Sequence, residues 1–401
     1  MSNLARSRAW VDVDLDALRH NFLTVRSAVG RGAGVVAMVK ADAYGLGMAR
    51  VVRALEPLEP LAFGVAAAAE GAELRAQGVE RPIYVLSPLA PQAVEQAAVA
   101  RLTASISDLG GLERWAAAAE RLGIPLDFHV EIDTGMGRAG FDWRKVGEWG
   151  PAIHSRAGQG PGEVAGSAHA AGGLLRWTGV FTHFHGADAP TRSPTAQQWE
   201  RFRDALAQLP VAREDLTVHV SNSAASLRWP EYAVDAVRPG IYLYGGHPMA
   251  GSGSEAEIPA PRPVAAVRAR VVLVREAAPG STVGYGATHT ARRWERWATL
   301  AIGYGDGYPR KLGNRGVALV HGTRVPIVGR ISMDMTVVDV SSVSDVREGD
   351  VATLIGRDGA NAGGEILLDE VAGQAETIGY EILTGLTPRL PRVELETRHG
   401  E

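Results

Sequence analysis

The chain has 401 residues, 46% of them hydrophobic, a formal net charge of -4 and no cysteine. That is enough for a large core in two or three domains, with no basic footprint for nucleic acid and no polybasic patch for a membrane surface. The missing cysteines exclude disulfides, thiolate catalysis, iron–sulfur clusters and cysteine-ligated zinc.

The N-terminal stretch "MSNLARSRAWVDVDLDALRHNF" lacks the apolar region of a signal peptide. No apolar run reaches the ~18 residues of a membrane span, so the expectation is a cytoplasmic protein. Asp14 to Val29 predicts an amphipathic helix. Short apolar runs then alternate with helical patterns: Gly34–Lys40, Leu61–Val65, Pro82–Leu86, Leu102–Ile106, Leu126–Ile132, Trp177–Phe184, Thr217–Val220 and Ala233–Val237. Strands apolar throughout, alternating with helices, predict a parallel sheet covered on both faces. Eight such repeats in about 250 residues fit a (β/α)8 TIM-type barrel better than an open doubly wound sheet, although periodicity alone cannot count closure. Gly158–Gly173, rich in glycine and alanine, reads as an extended surface loop.

Residues 14–248 are therefore read as the barrel and 249–258, "MAGSGSEAEI", as a small polar linker. Residues 259–401 carry strand-like runs such as "VAAVRARVVLVREA" and "MTVVDVS", and read as a mostly β C-terminal domain.

Barrels of this type build their sites at the C-terminal ends of the strands, and the residues there are polar. The first run, "VVAMVKADAYGLG", ends on Lys40, followed by Tyr44. Only Lys40, Lys145 and Lys311 among the 41 basic residues are lysines, and the last two sit beside arginines. A desolvated lysine can lose its proton and act as base or nucleophile, whereas arginine stays charged, so the isolated Lys40 is a candidate for chemistry. "SNSAAS" (Ser221–Ser226) opens a helical run with hydroxyls and free N–H groups. Alone it reads as ordinary capping; with "RPGIYLYG" (Arg238–Gly245) it suggests a phosphate site after the last two strands. His183 and His185 in "THFHGAD" would share a face on a strand, but no third ligand accompanies them at metal spacing, and no metal is expected. In "DTGMGRAGF", Arg138 could grip a carboxylate or simply face solvent. Tyr285 and Tyr304 lie in glycine-flanked turns. A tyrosine becomes an acid or base only where a cation lowers its pKa from ~10.

Together "VVAMVKADAYGLG", "EIDTGMGRAGF", "THFHGAD", "SNSAAS", "RPGIYLYG", "VGYGATH", "GYGDGYPR", "GRISMDM" and "ETIGYEILTGLTPRLPR" resemble alanine racemase, in that family's order and over nearly the whole chain. The resemblance implies an enzyme that uses pyridoxal 5'-phosphate (PLP), a barrel followed by a β domain, and an N-terminal strand (residues 1–13, centred on Trp10–Val13) that joins the C-terminal domain. It implies that Lys40 carries PLP as a Schiff base. Tyr44, Asn222, Ser223, Gly240, Ile241 and Tyr380 would hold the cofactor, with Arg238 facing the pyridine nitrogen and His183 nearby. Arg138 and the backbone at Met333 would hold the substrate carboxylate. Tyr285 would be the second base, reaching in from the partner of a homodimer, with Glu131, Tyr304 and Asp334 in support.

The implied reaction interconverts L- and D-alanine by a two-base mechanism and supplies D-alanine for peptidoglycan. Some relatives carry a carbamylated lysine where this chain has Glu131, which would steer Arg138 unmodified unless it is merely an exposed strand-end glutamate. Two other readings stay open: another PLP barrel enzyme, either a broad-specificity racemase acting on serine or a decarboxylase, and a non-catalytic PLP-binding barrel protein. The missing cysteine acid argues against the decarboxylase, and the second domain against the binding protein.

Overall fold

The computed structural model describes residues 2–157, 173–358 and 364–395. The Gly158–Gly173 stretch, expected as a loop, lies outside the described residues except for Gly173. Among the described residues, eight parallel strands form a ring: Gly34–Met38, Ala62–Val65, Ile83–Pro88, Thr103–Ile106, Leu126–Asp133, Leu175–Phe181, Thr217–His219 and Ala236–Val237. Each pairs with the next, and Ala236–Val237 returns to Gly34–Val35. Closure decides for the barrel over the open sheet.

Every apolar run predicted as a barrel strand forms one, with limits shifted throughout: the first stops at Met38, short of Lys40, and two others differ most. The run expected to reach Phe184 ends at Phe181, so His183 and His185 lie in the loop beyond and do not alternate on a strand face. The run expected from Ala233 is strand only at Ala236–Val237. A 3-10 turn at Pro230–Tyr232 and the left-handed Val234 (φ 48°) occupy the residues before it.

The helix Leu15–Val29 covers the start of the barrel. Asp14 caps it, accepting from the N–H groups of Asp16 (3.0 Å) and Ala17 (2.8 Å), and Leu18, Phe22 and Val25 are buried. Asn21 on this helix donates to Arg262 O (2.9 Å) and accepts from Arg262 N–H (2.8 Å), fastening the chain where it enters the second domain. The stretch read as a polar linker contains a 3-10 turn, Glu255–Glu257, between the buried Met249 and Ile258.

Beyond it the chain is mostly strand. The long strand Ala265–Ala277 pairs with Glu295–Leu300, Val351–Arg357 and Ala9–Val13, all antiparallel. Ala9–Val13, fully buried, also pairs in parallel with Arg392–Glu394, through Val11 and Arg392 among others. Among the described residues no helix is long and apolar enough to cross a membrane.

Candidate active site

The strand Gly34–Met38 delivers Lys40 to the C-terminal mouth of the barrel. The backbone then takes an uncommon course: Ala41, Asp42, Ala43 and Tyr44 have φ of 54, 52, 53 and 56°, four successive non-glycine residues in the left-handed region. Each costs about 1–2 kcal/mol relative to a right-handed conformation, so the turn must be held by its surroundings. Burial lowers the proton affinity of Lys40, and the positive charge of Arg138 lowers it further, with Arg238 adding to this and Glu70 opposing it. The lone lysine thus sits in a partly desolvated site under the positive charge of two guanidinium groups, which favours its neutral, nucleophilic form.

The same turn delivers Tyr44. Its ring stacks on Tyr244 at 4.5 Å between centroids, and the Tyr380 ring lies 6.1 Å away. Tyr244 is itself fixed by donating its hydroxyl to Met38 O (2.7 Å). Gly240 N–H donates to Ser223 Oγ (2.8 Å). A β-carbon on residue 240 would lie 2.1 Å from the Tyr44 hydroxyl, so only glycine fits there. Ser223, Gly240 and Tyr44 therefore meet at the ends of the last two strands and the first. Asn222 works differently. Its side chain accepts from Ala225 N–H (3.1 Å) and donates to Phe184 O (3.3 Å), capping the helix Ser223–Arg228.

Arg238 is buried at the centre of the mouth. It donates to Thr182 O (2.9 Å) and Val220 O (3.3 Å), to His183 Nδ1 (3.3 Å) and to His219 Nδ1 (2.9 Å) as well as His219 O. Burial brings its pKa down to about 10, which still leaves it charged at neutral pH. An arginine only donates, so His219 Nδ1 must accept and the proton of His219 sits on Nε2. That proton points to His129 Nδ1 at 2.8 Å. Burial, reinforced by Arg238, pushes His183 and His129 down to about 3 and His219 well below its usual range. All three are neutral, and each tautomer is dictated by the arginine at the head of the chain. His129 and His219 were not among the residues singled out from the sequence. The available signal was His129 two residues before Glu131 in one strand, which puts both side chains on one face.

Glu131 is only 5% exposed, which removes the reading of a solvent-facing strand end. It accepts from Ser107 Oγ (2.9 Å) and makes no direct ion pair with Arg138. Burial raises its pKa, while Ser107, Arg138 and Arg238 pull it down. Arg138 is exposed, and among the described residues its guanidinium has no hydrogen bond or ion pair. Its loop is shaped by Asp133, whose Oδ1 accepts from Gly135 N–H (2.9 Å) and Gly137 N–H (3.0 Å). The glycines of "DTGMGRAG" serve that loop. Arg138 is left as a free cation beside Lys40, suited to an anionic substrate group.

The residues from the second domain form a separate group. Tyr304 N–H donates to Ser332 O (3.1 Å) and Gly305 N–H to Met333 O (2.8 Å). Asp334 accepts from Arg389 (2.8 Å), and Arg8 grips Asp306 in the same turn through two bonds of 2.7 and 2.8 Å. Tyr304 and Met333 are exposed, and Tyr285 is 69% exposed on the turn Tyr285–Ala287. Among the described residues nothing bonds Tyr285 to the barrel mouth. Between mouth and second domain lies a cleft of about 430 Å³ lined by Met136, His183, His247, Asp369 and Tyr380 among others. No three potential metal-ligating side chains gather among the described residues.

A family model described as "Alanine racemase, N-terminal domain" matches residues 13–248, and one described as "Alanine racemase, C-terminal domain" matches residues 264–394. This chain belongs to the alanine racemase family. The alanine racemase of Halothermothrix orenii is 35% identical over 388 residues, 96% of each chain. The solved biosynthetic alanine racemase of Pseudomonas aeruginosa is 35% identical, covers 97% of this chain and 99% of its own, and superposes with a TM-score of 0.81. The alanine racemase of Bartonella henselae, solved with covalently bound pyridoxal phosphate, is 28% identical over 97% of this chain and 99% of its own, with a TM-score of 0.82. An alanine racemase fold, barrel followed by β domain, thus accounts for the whole described chain.

Proposed function

We propose that this enzyme interconverts L- and D-alanine with PLP held at the barrel mouth. The observation that carries the reading is Lys40, the lone lysine of the site, held beside Arg138 and Arg238 in a chain matched nearly end to end by alanine racemases.

The residues present fit PLP. The Ser223 hydroxyl, held by Gly240 N–H, the backbone N–H of Ile241, and the hydroxyls of Tyr44 and Tyr380 offer donors to a phosphate, in a cradle that a β-carbon at 240 would fill. Arg238 would face the pyridine nitrogen as a donor that keeps its proton, and Lys40 would hold the cofactor covalently through Nζ. When bound, PLP supplies the electron sink that makes the substrate Cα–H acidic.

Arg138 binds the substrate carboxylate bidentately, and the backbone at Met333 completes its hold. Lys40 moves the proton on one face of Cα, and the partner subunit's Tyr285 moves it on the other. Tyr285 is exposed in the single chain and unbonded to its own barrel mouth, which supports a homodimer in which each site takes its tyrosine from the other subunit. Tyr304, beside the Met333 and Asp334 loop, would narrow the entry. Glu131 acts on Arg138 through its charge and not through contact.

The test is incubation of the purified protein with L-alanine and, separately, L-serine, followed by chiral chromatography. Alanine should approach equal L and D, with serine slower. Serine turned over as fast as alanine would make this a broad-specificity racemase, and a PLP spectrum without turnover would make it a binding protein.

A further inference from the structure

The left-handed turn after Lys40 needs a physical support, and one side chain supplies it. Glu70 belongs to the helix Ala68–Ala76 on the neighbouring repeat. Its Oε2 accepts from Ala66 N–H (2.8 Å) and Ala67 N–H (3.0 Å), which is what a glutamate in the first turn of a helix does for its own N-terminus. Its Oε1 does something that capping does not require. It reaches across to accept from Ala41 N–H at 2.6 Å, the residue directly after Lys40 and the first of the four with positive φ. Two of the three bonds belong to the helix; the third belongs to the turn.

We propose that Glu70 is a positioning residue for Lys40: its carboxylate clamps the left-handed turn Ala41–Tyr44 and thereby sets both the lysine and the tyrosine that border the cofactor site. Asp42 helps from the far side, accepting from Met48 N–H (2.7 Å). The Glu70 charge also counters the two arginines that act on Lys40. Released from Glu70, Ala41 to Tyr44 gain by relaxing toward ordinary φ, and Lys40 and Tyr44 lose their common register. The idea rests on the PLP reading above for its consequence, but not for the clamp itself.

The test uses two variants and a rescue. Glu70→Gln can keep its oxygen on Ala66 and Ala67, but it then turns an NH2 toward Ala41 N–H, so the helix stays capped and the turn is released. Amide hydrogen exchange of the segment spanning residues 39–48 should speed up in Glu70→Gln while the Ala68–Ala76 helix stays protected. The dissociation constant for PLP, read by titration of the protein stripped of cofactor, should rise roughly ten- to a hundredfold, as expected for a lost charge-assisted bond. Ala41→Gly removes the steric cost of positive φ at an exposed residue. Alone it should change PLP affinity little, and in the Glu70→Gln background it should recover most of the loss. Unchanged exchange at residues 39–48 in Glu70→Gln, or a defect that Ala41→Gly does not relieve, overturns the proposal and leaves Glu70 a helix cap. Exchange reads the clamp whether or not the protein racemises alanine, so failure of the clamp and failure of the functional reading are told apart.

Discussion

The Tyr44 hydroxyl occupies the space that a β-carbon on residue 240 would need, 2.1 Å away. Glycine at 240 is therefore a requirement of the tyrosine, and the tyrosine is fixed by the turn behind it and by Tyr244 on its other face. Gly240→Ala should push Tyr44 out of its stack and raise the PLP dissociation constant at least tenfold, with little change in the fold seen by circular dichroism. An alanine variant that binds PLP like the parent would mean that the cofactor does not use this cradle.

Lys40→Ala should abolish racemisation and the visible absorbance of bound cofactor. The other two lysines offer no substitute: Lys145 pairs with Glu148 at 3.5 Å and Lys311 with Glu376 at 3.4 Å, both on the surface. Borohydride reduction followed by peptide mapping should place the cofactor on Lys40 alone. A reduced adduct on Lys145 or Lys311 in the variant would defeat the assignment.

Glu131 affects Arg138 without touching it, so its removal should be mild. Arg138 is exposed, and the loss should match that of a surface charge pair, about 0.2–1 kcal/mol. Glu131→Gln should therefore raise KM for alanine about 1.5- to fivefold, leaving PLP affinity unchanged. Burial holds the Glu131 carboxyl above its ordinary range, so it takes up a proton at a higher pH than a free glutamate. Below that pH it is neutral and no longer draws on Arg138. KM should thus climb as the pH falls in the parent and stay level in Glu131→Gln; parallel profiles would assign Glu131 to packing with Ser107.

Mixed dimers test the origin of the second base. Lys40→Ala and Tyr285→Phe should each be inactive in racemisation. Co-expressed, they should form a dimer in which one site carries both changes and the other is intact, so about half the activity per mixed dimer should return if the two sites are independent. No rescue in a verified mixed dimer would place Tyr285 in the same site as its own Lys40, or outside the chemistry.

The barrel was legible because parallel strands are buried on both faces and must be apolar throughout, a pattern that survives without any knowledge of closure. Strand limits were less legible. Phe181 and Phe184 are equally apolar, and only the pairing shows that the strand stops at the first, which moves His183 and His185 off a shared strand face. Lys40 stood out by composition. His129 and His219 did not, since a histidine within an apolar strand looks like core until its partner is known: His129 bonds His219, 90 residues further along the chain, and His219 in turn bonds Arg238. Nor could spacing tell that Glu131 would turn to Ser107 and not to Arg138: that choice depends on which strand ends lie side by side.

The strand Ala9–Val13 carries one more consequence. It is made before the barrel, yet both its partners, Ala265–Ala277 and Arg392–Glu394, come after it. During synthesis this buried segment emerges before the barrel and has no edge to pair with until the barrel is finished, and Arg392–Glu394 follows later than Ala265–Ala277. The ribosome thus extrudes a barrel attached to an unpaired, sticky ribbon, exposed for as long as the barrel and the linker take to be made. The two domains cannot be parted by one cut between them, because the chain leaves the second domain before it enters the first.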